Sequence, residues 1–401
     1  MKTNWKTKKL GEVCEFQNGF AFKSKLFKED GFPVLRISNI QNDGISYKRL
    51  VFFDKKSYKD NFDRYQILKG DLVIAMSGAT TGKLAISDAD ETFYLNQRVG
   101  KFKPKKDLAK DYLYYFLSTR IEENLRISAG SAQPNLSTEQ IKDFKIPLPS
   151  LPEQHRIVKI LDEVFEKVAK AKKNAEKNLQ NTKELFESYL QSIFANPGKD
   201  WEEKKLIDIF QIKPPKKEAR EKLKDTDFVS FVPMEDMQIM SKEFACNKER
   251  KLKEVSGSYT YFANEDVLLA KITPCFENGK LGIARNLKNG IGFGSSEYIV
   301  FRSSGDVLSD YLYYFLARES FRKDGAKIMS GAVGHKRVSK EFIEGSILPF
   351  PKALSEQKSI VKKLDVLSAE TKKLEAIYKQ KLTNLEELKK SVLRRAFNGD
   401  L

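Results

Sequence analysis

Two glycine-bearing stretches, two histidines and three cysteines hold the residue types that could do covalent or nucleotide chemistry in this chain. Gly78-Ala-Thr-Thr-Gly82-Lys83 follows an apolar run and has the look of a loop that cradles phosphate. Such a loop needs four residues between its glycines and a Ser or Thr after the lysine to hold magnesium. Here three intervene and Leu84 follows. Gly290-Ile-Gly292-Phe-Gly294-Ser-Ser-Glu297 has a spacing close to that of a dinucleotide or S-adenosylmethionine fingerprint, but that fingerprint must open a helix. Tyr298-Ile-Val-Phe301 instead reads as a strand. His155 and His335 are the only histidines, and Cys14, Cys246 and Cys275 lie far apart with no C-x-x-C pair. That pattern argues against a disulfide framework or a zinc site. No Ser-His-Asp set, no metal-ligand cluster and no Asp/Asn-Pro-Pro-Tyr/Phe run of an adenine methyltransferase is present. The chemistry left to this chain is recognition.

The charge says what is recognised. Lys and Arg number 72 against 55 Asp and Glu over 401 residues, a formal +17, which is the balance of a polyanion binder. Polar side chains gathered in glycine-rich turns are the candidates for contact: Ser77, Thr80, Thr81 and Lys83 in one loop, and Lys271, Thr273, Asn278 and Lys280 in another. Asn96, Gln97 and Arg98 suit bidentate bonds to adenine and guanine. Ser295 and Ser296, the His335-Lys336-Arg337 loop, and Arg36 and Asn39 complete the set. The bland alternative, polar residues of solvated turns, stays open for each. Hydrophobic residues at 40% supply packed cores. The lysine-rich start from Met1 to Leu10 has no apolar segment behind it, and no run of about 18 apolar residues occurs. A cytoplasmic protein with no membrane contact is expected.

These loops are positioned by an internal repeat. Asp111-Tyr-Leu-Tyr-Tyr-Phe-Leu117 recurs letter for letter as Asp310-Tyr-Leu-Tyr-Tyr-Phe-Leu316. Trp5 then matches Trp201, Asp71 and Ala75 match Asp266 and Ala270, Gly82-Lys83-Leu84 matches Gly279-Lys280-Leu281, and Gly130 matches Gly331. Gln133-Pro134-Asn135 occupies the place of His335-Lys336-Arg337. Drifting offsets mean loop insertions, as expected of related domains that differ where they touch a ligand. Within each copy, Val34–Ser38, Asp71–Ala75, Val267–Ala270 and Glu297–Arg302 read as strands, and 110–125 and 309–324 as amphipathic helices. Each copy is an α+β domain.

From Glu153 and from Glu356 the offset is constant at 203, and both segments lack Gly and Pro for 42 residues. A 4-3 apolar pattern runs through Ile157, Leu161, Val164, Val168, Ala171, Ala175, Asn178, Thr182, Leu185 and Tyr189. Its counterpart is Ile360, Leu364, Leu367, Thr371, Leu374, Tyr378, Lys381, Leu385, Leu388 and Val392. These are the seams of two coiled-coil helices roughly 63 Å long. Connectivity makes the helices antiparallel and the molecule a pseudo-twofold, nearly cyclic one. The domains are expected at 1–152, 153–198, 199–352 and 353–401. The globular pair carries +12 of the +17.

Taken in order, these features resemble the specificity subunit of type I restriction-modification systems over essentially the whole chain. The strings that carry the resemblance are Leu35-Arg-Ile-Ser-Asn-Ile40, Gly70-Asp-Leu-Val-Ile74, Leu151-Pro-Glu-Gln-His-Arg-Ile157 and Leu268-Leu-Ala-Lys-Ile-Thr-Pro-Cys-Phe-Glu-Asn-Gly-Lys280. Gly292-Phe-Gly-Ser-Ser-Glu297 and Leu393-Arg-Arg-Ala-Phe-Asn-Gly399 add to it. The resemblance implies two α/β target recognition domains, each reading one half of a bipartite site in double-stranded DNA, and two helices that set the spacer between the halves. It implies no catalysis and no cofactor in this chain. S-adenosylmethionine belongs to modification subunits, two of which would dock on the helices, and ATP and Mg to restriction subunits. Two alternatives stay open: a fused nuclease or methyltransferase with an unrecognised motif, and a basic coiled-coil scaffold that binds RNA.

Overall fold

The strand alternation and the repeated heptapeptide are resolved by one architecture used twice. The computed structural model describes residues 5–41, 44–128, 135–332 and 334–401; Gly130, Gln133 and Pro134 lie outside them. The chain divides into two units, Met1–Ala175 with Gln380–Leu401, and Glu176–Lys379.

In the first unit, strands Cys14–Asn18, Val99–Pro104, Leu72–Ala75 and Leu84–Ile86 form an antiparallel sheet in that order. A second sheet runs Val51–Phe53, Phe32–Leu35, Phe93–Leu95, Gln66–Ile67, with Phe32–Leu35 and Phe93–Leu95 parallel. Side chains of a strand alternate between faces, so the run Leu72-Val-Ile-Ala75 feeds two cores. Leu72 and Ile74 join Tyr112, Phe116 and Ile146 on one side, while Val73 and Ala75 join Val34, Phe53 and Phe93 on the other.

The second unit repeats this strand for strand. Phe210–Ile212, Tyr298–Ser303, Val267–Ala270 and Leu281–Ile283 form one sheet, and Glu249–Lys251, Phe228–Val232, Ile291–Gly294 and Thr260–Ala263 the other. The parallel pair recurs between Phe228–Val232 and Ile291–Gly294. The glycine-spaced stretch is therefore a buried strand from Ile291 to Gly294: a Cβ on Gly292 would lie 2.1 Å from the Phe262 ring. Gly78–Thr80 is a short 3-10 turn leading to the strand Leu84–Ile86, so no helix N-terminus is offered to a phosphate. The helix expected at 309–324 is broken. Ser309–Ala317 ends at Arg318, whose Nε donates to the Phe315 carbonyl at 3.0 Å, and Glu319–Lys327 begins anew.

Identical sequence is spent on identical contacts. Tyr112 donates to the Pro147 carbonyl at 2.9 Å and Tyr311 to that of Pro349 at 3.0 Å. Tyr115 bonds Asp162, and Tyr314 bonds Asp365. Buried Gln154 accepts from the Ala109 N–H and donates to the carbonyls of Asp107 and Pro149. Gln357 does the same with Leu308, Asp306 and Pro351. Phe397 packs against Tyr112 and Phe116, as Phe194 does against Tyr311 and Phe315.

The helices Leu151–Ala195 and Leu354–Asn398 are each 45 residues. In the first unit, Ile157 and Leu161 share a core with Leu393, Ala396 and Phe397. Lys172 pairs with Glu386 at 2.7 Å further along, so the two segments run antiparallel. In the second unit, Leu190 and Phe194 share a core with Val361 and Leu364. Val164, Val168, Ile360, Leu367, Leu385 and Val392 are half-buried.

Six expected seam positions are corrected: Leu185, Tyr189, Leu374 and Leu388 are 56%, 38%, 39% and 45% exposed, and Asn178 and Lys381 are exposed too. One residue further on, Leu190 is buried, Phe186 and Glu375 are half-buried, and the Lys389 ammonium lies 5.2 Å from the centre of the Phe165 ring. A straight helix lags a seven-residue repeat by about 20° per heptad. After four heptads the lag is about 80°, close to one residue, so Phe186 takes the direction of Ile157 and Leu190 that of Leu161. Among the described residues no helix is long and apolar enough to cross a membrane.

Candidate nucleic-acid interface

In each unit three loops meet at the exit of the central strand. In the first, Leu72–Ala75 ends at Met76, whose N–H donates to the Arg98 carbonyl and whose carbonyl accepts from the Leu136 N–H, both at 2.9 Å. Ser77 bridges to Asn135. In the second, Val267–Ala270 ends at Lys271, which donates to the Glu297 carbonyl and accepts from Val338, again at 2.9 Å. Ile272 bridges to Arg337, and the Thr273 N–H donates to the Lys336 carbonyl. The same lacing thus joins the loop after the strand, the turn from the last strand of one sheet to the last strand of the other, and the segment before a short helix.

The side chains on this frame divide into two groups. Gln97 and Arg98 are exposed on a turn closed by the Val99 N–H to the Asn96 carbonyl at 2.8 Å, with Asn96 half-buried beside them. Ser296 is exposed on the equivalent turn, where the Tyr298 N–H bonds the Ser295 carbonyl. His335, Lys336, Arg337 and Asn278 are exposed.

The others turn inward. Asn39 is buried and donates to the carbonyls of Ser46 and Lys48, while its Oδ1 accepts from the Arg36 N–H; it fastens a loop. Half-buried Arg36 donates to the Arg49 carbonyl. Thr80 bonds the Ile37 carbonyl and buried Thr81 that of Gly78. Lys83 donates to Gln41 Oε1 at 3.1 Å and Lys280 to the Met234 carbonyl at 2.6 Å. Ser77 is buried. Thr273 bonds Glu277 Oε1, and Lys271 the Ser296 carbonyl. Apart from Ser77, each of these side chains bonds an internal acceptor and so helps to shape its loop.

One ion pair of the surface was not expected from the sequence. Glu297 receives the Arg337 guanidinium on both oxygens, at 2.7 and 2.8 Å. This pairing holds the Glu297 carboxyl below the usual carboxylate value and the Arg337 guanidinium above its own. Lys271 beside them is pushed down by burial. The repeat held the signal, since Glu297 stands where Arg98 stands in the first unit.

Known proteins are similar to this chain in sequence and in fold. A family model described as the type I restriction modification DNA specificity domain matches residues 2–179 and 198–384. The chain is 38% identical over 190 residues to the type I restriction enzyme EcoAI specificity subunit of Escherichia coli, covering 46% of this chain and 30% of that one. It therefore matches about a third of that relative's length. It is 26% identical to the putative type I restriction enzyme MjaX specificity subunit of Methanocaldococcus jannaschii, over 99% of this chain and 94% of that one. In fold it resembles a chain of a solved type I restriction-modification system (TM-score 0.74, 19% identity, 99% and 98% covered). It also resembles the HsdS subunit from Thermoanaerobacter tengcongensis (TM-score 0.58, 19% identity, 99% and 97% covered). With the family model matching both repeats, the chain belongs to the type I restriction-modification DNA specificity family.

Proposed function

We propose that this chain is the non-catalytic specificity subunit of a type I restriction-modification complex in the cytoplasm, and that each unit reads one half of a bipartite duplex DNA site. The observation that carries the reading is the shared lacing of three loops around unlike side chains. One unit offers Gln97 and Arg98; the other offers Ser296, His335, Lys336 and Arg337 with Glu297 behind them. A common frame with different donors and acceptors reads two different short sequences by base-edge contacts, and the basic balance of the chain supplies the phosphate attraction.

Modification subunits dock on the long helices. Leu185 and Leu388, equivalent in the repeat, are both exposed. Each unit thus presents a leucine that an apolar partner surface would cover, which suits two copies of one partner. S-adenosylmethionine and methyl transfer then belong to those partners, and ATP-driven steps to restriction subunits. The test is to map methylated adenines by single-molecule sequencing in cells that express the chain with its modification subunit. The expected motif has two unlike halves and a fixed gap; a continuous palindrome would overturn the reading.

A further inference from the structure

We propose that Glu297 is a positioning residue that presents Arg337 for reading a guanine in the half-site of the second unit. The inference rests on the function proposed above and adds a residue and a base to it. Glu297 and Arg98 occupy the same place, since their carbonyls accept from the equivalent N–H groups of Lys271 and Met76. A carboxylate at the tip of a DNA-facing turn would repel phosphate if it stood alone. Here it takes Arg337 Nε on one oxygen and Nη2 on the other.

A guanidinium has five N–H groups in a planar fork. Two are spent on Glu297. Among the described residues, Nη1 makes only a long 3.4 Å contact to the His335 carbonyl, and Nη2 keeps its second N–H. The terminal Nη1/Nη2 edge is therefore the one turned to a ligand, and its two parallel donors match O6 and N7 of guanine in the major groove.

Stability alone is a weak reason for the pair. The Arg337 side chain is 47% exposed and that of Glu297 20%, and exposed ion pairs add little. The pair is also close to neutral as a unit, so it adds little to sequence-independent phosphate attraction. What it does provide is a guanidinium whose rotamers are already restricted before DNA arrives, which lowers the ordering cost of binding.

The test uses the assembled complex of the full chain with its modification subunits and begins from the mapped motif. Duplexes carry 7-deazaguanine at each guanine in turn, which removes N7 and leaves the base pair. For the unaltered chain, one guanine in one half-site is expected to lose at least about ten-fold in methylation kcat/KM, the range of a good bidentate contact. Arg337→Ala should abolish that N7 dependence, and Arg337→Lys, which keeps the charge without the fork, should not rescue it. Glu297→Gln should lose most of the N7 dependence with its melting temperature unchanged, while its affinity for unrelated duplex holds or rises because the Arg337 charge is no longer neutralised. The inference is overturned if no N7-dependent position responds to Arg337→Ala. It is equally overturned if Glu297→Gln weakens all duplexes alike, as a loop staple would. A bipartite motif with either result leaves the function standing, whereas a continuous motif removes the function itself.

Discussion

A buried polar side chain is costly to leave unpaired, and Gln154 and Gln357 each satisfy three backbone groups at the start of a long helix. Gln357→Ala strands the Leu308 N–H and the carbonyls of Asp306 and Pro351. A loss of about 2–3 kcal/mol is expected, read as a lower urea midpoint. At the surface, Glu297 titrates in the opposite sense from a buried acid. Its folded value lies below its unfolded one because of Arg337. The contribution of the pair is thus present above the ordinary carboxylate value of about 4.3 and is lost only as pH falls through the lower folded value. An NMR titration of the Glu297 carboxyl should find its midpoint below that of ordinary glutamates, and Arg337→Ala should move it back up. Burial pushes the Cys14 thiol up to about 12, so at pH 8 an alkylating agent should leave Cys14 unmodified in the folded protein.

The long helices separate packing from presentation. Leu364 is fully buried, and Leu364→Ala should cost about 2–5 kcal/mol. Leu185→Glu and Leu388→Glu touch exposed positions and should leave the thermal midpoint unchanged. Under the proposed docking, each should remove one modification subunit from the complex in size-exclusion chromatography with light scattering. The same helices show what a sequence can and cannot display. The duplicated heptapeptide was legible because Tyr112 and Tyr311, and Tyr115 and Tyr314, make the same bonds in both copies. The outward turn of Leu185, Tyr189 and Leu388 was not, because a seven-residue pattern carries no record of the helix's own 3.6-residue period slipping past it. The loops were legible as places but not as roles. Asn39 and Thr81 have the same side-chain chemistry whether they face a base or a backbone carbonyl, and only the fold brings Ser46, Lys48 and Gly78 to them. The pairing of Glu297 was not legible, because its partner Arg337 lies 40 residues away.

Two units built on separate cores should behave as two separable readers. Arg98 belongs to one and Arg337 to the other, and no hydrogen bond or core residue described above links them. Removing either arginine should cost about 1–3 kcal/mol of binding to the cognate duplex and relax the motif in one half only. Independent sites add to within about 0.3–0.5 kcal/mol. The double variant Arg98→Ala/Arg337→Ala should therefore lose the sum of the two single losses, with both halves of the motif relaxed. Glu297→Gln and Arg337→Ala share one ion pair and should fail to add, because the second change removes an interaction that the first has already broken. Competition binding of the assembled complex at one salt concentration measures all five losses, those of the three single and two double variants, and fixed salt is essential because phosphate contacts weaken steeply with ionic strength. If the loss of the double variant exceeded the sum of the two single losses or fell short of it by more than that margin, the two units would be engaging DNA as one coupled surface, and the picture of two autonomous half-site readers would fail.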